Sequence, residues 1–89
     1  MKDLSQLRTE IDTLDREILA ALQRRMALVT QVGQYKKQQG LPVVDLKRWN
    51  EVLASKLALA AEYKLDTAMV KDIYNRIHEA AIRLEKTLQ

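Results

Sequence analysis

From Leu4 to about Gln39 the chain repeats apolar residues at steps of three and four, among them Leu7, Ile11, Leu14, Ile18, Leu22, Val29 and Val32. Gly33 is the only helix-weakening residue inside that run, so the period predicts one uninterrupted amphipathic helix. At about 1.5 Å per residue it would be roughly 54 Å long, more than two shorter helices of the same chain can cover. A periodic pattern beyond ~25 residues implies a helical neighbour from elsewhere, and a dimer is expected.

Gly40-Leu41-Pro42 stops this helix, and Asp45 is placed to cap a second one that reaches about Glu62. Its apolar side holds Trp49, Val52, Lys56, Leu59 and Tyr63. Asp66 caps a third helix running nearly to the C-terminus, with Val70, Ile73, Tyr74, Ile77, Ala81, Leu84 and Leu88 on one face. The fold class read from the pattern is therefore all-α: three helices with a very long first one, forming an intertwined homodimer, and one domain over residues 1–89.

Composition agrees with that pattern. A 47% hydrophobic share, 30% charged residues, two glycines and one proline suit helices, and 89 residues lie near the size at which burial within one chain gives only marginal stability. The net charge is +3, but the fifteen basic and twelve acidic residues are interspersed, so no nucleic-acid surface is indicated; a small anionic ligand is compatible. There is no cysteine for disulfide or thiolate chemistry, no glycine-rich loop, and no Cys/His cluster, so neither cofactor nor metal is expected. Met1-Lys2-Asp3-Leu4-Ser5 lacks the apolar run of a signal peptide and no stretch has the ~18 apolar residues of a membrane span, so a cytoplasmic protein is expected.

The candidate chemistry comes from charges placed where a core should be. On a wheel of about 100° per residue, Arg25 falls roughly 20° and Lys36 roughly 40° from Leu14, in the middle of the apolar stripe. An unpaired charge in such a place costs several kcal/mol. Arg25 and Lys36 are eleven residues apart, about 16 Å along one face, and Arg48 lies on the Val52 side of the second helix. Arg8 is about 25 Å from Arg25 along the helix, too far to share a ligand within one chain, though not a ligand held by a second subunit. Each cation could be an ordinary ion-pair partner or could snorkel to water. Three convergent ones have few inward carboxylates to meet, since Asp45 is occupied as a cap and Glu85 sits at the edge of the third helix's stripe. An anionic ligand follows. His78, without a triad or metal-binding companion, reads as a helix-flank residue; Trp49 and the three tyrosines read as packing residues, with Trp49 also a candidate pocket wall.

The ordered pieces "LRTEIDTLDREILAAL", "RRMALVTQVGQYK", "PVVDLKR" and "LDTAMVKDIYNRIHEAAI" make the chain resemble the all-helical chorismate mutases over essentially its whole length. The family signature is an early Arg, an Arg and then a Lys eleven residues on, a D-x-x-R step and a final helix carrying polar site residues, and its matches here are Arg8, Arg25, Lys36, Asp45 and Arg48. The resemblance implies an intertwined dimer with two sites, Arg8 being donated across the interface, and a Claisen rearrangement of chorismate, a small dianion, to prephenate without cofactor or metal. Arg8 and Arg25 would clamp the carboxylates with help from Arg48, and Lys36 would donate to the ether oxygen as it gains charge.

Three positions depart from the family pattern. Trp49 follows the D-x-x-R arginine where many relatives carry Glu, Glu85 stands where many carry Gln, and Ala81 replaces a small polar residue. A Glu donates only when protonated, which predicts activity that falls as pH rises through the titration of Glu85. The departures leave open an isochorismate-pyruvate lyase and a non-catalytic ligand-binding dimer, with a 4-amino-4-deoxychorismate mutase more distant because its ammonium would want an acid where Trp49 sits.

Overall fold

The computed structural model describes all residues from Met1 to Gln89 and contains three helices and no strand: α1 Leu4–Gln39, α2 Leu46–Glu62 and α3 Thr67–Thr87. Local chemistry accounts for the boundaries. Asp3 accepts from the Gln6 backbone at 2.8 Å while the Gln6 side chain accepts from the Asp3 backbone at 2.9 Å, a reciprocal cap that satisfies two otherwise orphaned donors of α1. Gly40 ends α1 at φ 65°, the left-handed conformation that glycine adopts without Cβ strain, and Leu41 then returns its N–H to the Lys36 carbonyl at 2.8 Å. Asp45 accepts from the Arg48 N–H at 3.0 Å, and Asp66 from the Ala68 and Met69 N–H groups at 3.0 and 3.2 Å.

α3 packs against both other helices, running alongside the C-terminal half of α1 and back along α2, whereas α1 and α2 do not pack on each other. The molecule is 57 Å long but only 15 Å thick in its thinnest direction. It has almost no interior: five of 89 residues are buried, and they are Gly33, Ala60, Val70, Ala81 and Glu85. Every residue from Met1 to Leu19 is exposed, including Ile11, Leu14 and Ile18 at 56% each. The apolar stripe of α1 thus lies open along the half of the helix that has no neighbour within the chain.

Two details differ from the sequence reading. Tyr63 lies beyond the end of α2 and is exposed, and Leu59 is largely open; the side of α2 turned to α3 is formed by Trp49, Val52, Leu53, Lys56, Leu57 and Ala60. Glu85 is at the centre of the α3 contact surface rather than at its edge, with 5% of its surface exposed. No helix is long and apolar enough to cross a membrane.

Candidate active site

Where α3 meets both partners, a cavity of about 180 Å³ opens between the helices. α1 contributes Arg25 and Lys36, the start of α2 contributes Asp45, Arg48 and Trp49, and α3 contributes His78, Ala81 and Glu85; Val29, Val32, Val52 and Ile82 supply apolar wall. Seven of the eight residues singled out in the sequence are brought together here. Arg8 is not: it lies on the exposed N-terminal half of α1, outside the cavity. A larger cleft of about 590 Å³ beside Ile18, Leu22, Ile73 and Ile77 is almost wholly apolar and continues the open stripe of α1, so volume alone does not mark the chemistry.

Lys36 is the most constrained cation. Its Nζ donates to the Val43 carbonyl at 2.7 Å and stands 2.7 Å from Glu85 Oε1, with both side chains largely withdrawn from water. The segment after Gly40 folds back on α1 to deliver that carbonyl. An ammonium has three N–H donors, so two engaged partners leave one for a ligand. The expectation that the inward cations lack carboxylates therefore fails for Lys36, because α3 carries Glu85 directly onto it. It holds for Arg25, whose Nη1 is buried without a hydrogen-bond partner in the chain. A guanidinium nitrogen in that state is costly unless an acceptor arrives from outside.

Asp45 caps α2 and also faces the cavity, while Arg48 leans toward Glu51 at 4.0 Å from a mostly exposed position, a contact worth at most about 1 kcal/mol. Arg48 is thus free to turn toward a ligand. Trp49 stacks on His78, with ring centroids 4.0 Å apart and planes inclined by 11°. His78, read from sequence as a flank residue, stands in the cavity wall. The signal that could have found it is its spacing, since His78, Ala81 and Glu85 follow one another at i, i+3 and i+7 on a single face of α3. With the imidazole neutral, three cations against two carboxylates leave the cavity with one net positive charge.

The sequence pattern of the type II chorismate mutases matches residues 7–86. The chain belongs to that family. Among individual proteins it is similar to the T-protein of Haemophilus influenzae, 36% identical over 76 residues that make up 85% of this chain and 20% of that one. It is also similar to a 4-amino-4-deoxychorismate mutase of Streptomyces pristinaespiralis, 29% identical over 82 residues, or 92% of this chain and 64% of that one. A solved structure, a conserved hypothetical protein from Pyrococcus furiosus, superposes with a TM-score of 0.71 at 30% identity, covering 92% of this chain and 93% of its own. The chain spans about a fifth of the length of the T-proteins it matches.

Within this mutase-family chain, Gly33 sets how closely α1 and α3 approach. A Cβ there would lie 2.8 Å from Leu88 Cδ1 and 3.3 Å from both Cα and Cγ of Glu85. Leu88 can rotate; the Glu85 backbone can yield only by moving α3. Gly33→Ala is expected to lose about 1–3 kcal/mol of stability despite the better helix propensity of alanine, and to pull Glu85 off Lys36. Thermal denaturation checks the first effect and activity the second; a variant that is more stable and fully active would show that α3 gives way freely.

Proposed function

We propose that the chain catalyses the rearrangement of chorismate to prephenate as an intertwined homodimer, serving phenylalanine and tyrosine biosynthesis. The observation that carries this reading is the buried Nη1 of Arg25, without a partner, on a residue that lines the same cavity as the Lys36–Glu85 pair. The reaction is unimolecular and needs no nucleophile; what it needs is a compact conformer and charge at the breaking bond. Arg25 would hold one carboxylate, with Arg48 and the Arg8 of the second copy closing on the other, which fixes the enolpyruvyl arm over the ring. The remaining N–H of Lys36 would meet the ether oxygen, whose negative charge grows as its carbon–oxygen bond breaks, so the contact strengthens in the transition state and raises the rate.

Glu85 would be the second donor to that oxygen. Its Oε1 stands 2.7 Å from Lys36 Nζ, and only a protonated carboxyl could donate to the ether oxygen. Because the protonated state is required, kcat is expected to be highest at low pH and to fall as pH rises, whereas Glu85→Gln should be level from about pH 5 to 8. Equal pH profiles for the two proteins would remove Glu85 from the donor role.

The resemblance to a 4-amino-4-deoxychorismate mutase gives a second reading. Its substrate carries an ammonium on the ring, and both carboxylates of the cavity already have partners: Asp45 Oδ1 accepts from the Arg48 N–H and Glu85 faces Lys36. That favours chorismate. The deciding experiment incubates purified protein separately with chorismate, 4-amino-4-deoxychorismate and isochorismate and identifies the products. Prephenate from chorismate supports the proposal; turnover confined to the amino compound, pyruvate release from isochorismate, or binding without conversion would each replace it.

A further inference from the structure

His78 is a polar side chain of the cavity wall that neither caps a helix nor has a task in the proposed chemistry. It is the only histidine in the chain, is half-buried, and lies face to face on Trp49 at 4.0 Å. No hydrogen bond within the chain engages either ring nitrogen. The carboxylates around it are committed, Asp45 to the Arg48 N–H and Glu85 to Lys36. Elsewhere on the molecule, the polar patch at Asp72, Asn75, Arg76 and Glu79 is partly self-paired through Arg76 and Glu79, and offers nothing comparable.

We infer that His78 is a substrate-binding residue that takes up a proton as a dianion enters, the indole of Trp49 supporting the charged ring. The inference rests on the dianionic-substrate reading of this cavity. The charged groups that share the cavity with His78 are Arg25 and Lys36 from α1, Asp45 and Arg48 from the start of α2, and Glu85 from α3. An imidazolium adds one further positive charge to this set, facing a bound dianion. Two contributions favour it: the electron-rich face of Trp49, over which a cation is stabilised, and the incoming dianion itself. Binding and proton uptake are then reciprocal, so acid must tighten the hold on the ligand by the same factor that the ligand tightens the hold on the proton.

The same stack accounts for an aromatic residue at position 49. An aliphatic side chain there would line the cavity equally well but could not support an adjacent positive charge. A histidine gains its charge between about pH 5 and 8, so the effect falls where binding is readily measured.

The test uses prephenate, a dianion that the proposed reaction produces and does not consume, titrated calorimetrically at pH 6 and pH 8 in buffers of different ionisation enthalpy. Glu85→Gln serves as the background, which removes the carboxylate's own proton uptake. In that background the Kd is expected to fall about fivefold or more on going from pH 8 to pH 6, the effect of one added unit charge in a partly wet cavity, with net proton uptake on binding. Adding His78→Phe, which keeps an aromatic ring against Trp49, should make the Kd level and abolish the uptake. Adding Trp49→Leu instead should shrink the pH gain. A pH gain that survives His78→Phe, or none in the background, overturns the inference. Parallel assays with wild-type protein and chorismate keep the two readings apart. Turnover with a pH-independent Kd for prephenate removes the role of His78 and leaves the mutase; a histidine-dependent Kd without turnover does the reverse.

Discussion

Arg25→Met is expected to lower kcat/KM for chorismate by about three orders of magnitude and, at the same time, to raise the melting temperature of the unliganded protein by a few degrees. The two effects have one cause. Arg25 Nη1 is buried with no acceptor in the chain, so the folded chain bears a desolvation cost that an acceptor from outside it, here a substrate carboxylate, relieves. Methionine fills similar volume without the charge, which removes the cost and with it the clamp on a substrate carboxylate. Charge-assisted, bidentate contacts that position a reacting conformer account for a loss of about 4 kcal/mol in transition-state binding. Thermal denaturation without ligand and steady-state kinetics on the same preparation check both signs. A variant that is less stable and still active would mean that Arg25 is a structural ion-pair partner. Arg8→Ala should be comparably inactive, yet mixing it with Arg25→Met chains and refolding them together should restore about a quarter of wild-type activity, because one site of each mixed dimer then has both arginines. No recovery on mixing would place Arg8 outside the site.

The second large effect concerns the open stripe of α1. Leu14→Glu is expected to convert the proposed dimer into a monomer that has lost most of its helix, although Leu14 is 56% exposed within its own chain. Ile11, Leu14 and Ile18 stand exposed along a stretch where no residue is covered, and only five residues of the whole chain are buried. A domain with so small an interior cannot offset the conformational entropy of ordering 89 residues, so in the proposed dimer a second copy would cover and hold α1. Each large aliphatic side chain buried there contributes about 1.5–3 kcal/mol, twice over in a symmetric pair. A carboxylate in the same place would have to be buried in that apolar contact without a partner. Light scattering and far-ultraviolet circular dichroism at micromolar concentration check the outcome, with Gln38→Glu, on exposed surface near the helix end, as the control. A wild-type protein that is a folded monomer, or a Leu14→Glu protein indistinguishable from it, would dispose of the dimer.

Much of the fold is legible in the sequence because its determinants are local. The repeat of three and four in α1, the stop at Gly40-Leu41-Pro42, and the caps Asp45 and Asp66 each act over a few residues, and the boundaries Leu4–Gln39, Leu46–Glu62 and Thr67–Thr87 follow from them. The inward placement of Arg25 and Lys36 is likewise a property of one helix, readable from its period alone.

Which groups meet across helices is a different matter. Helical period puts Glu85 near the edge of a stripe, but the rigid placement of α3 on α1 carries its carboxylate to 2.7 Å from Lys36, a contact between residues remote in sequence. The period says nothing of Gly33, whose missing Cβ sets that approach, or of the Val43 carbonyl that a loop folds back onto Lys36. His78 and Trp49 lie on different helices, and their stack depends on the crossing of α2 and α3 and on both χ angles. The sequence by itself determined three helices, their ends, and a pair of cations facing inward, because hydrogen bonds and side-chain period within one helix decide those. Only the tertiary structure decided that Lys36 has a carboxylate and Arg25 has none, because burial and pairing are properties of how the helices lie together.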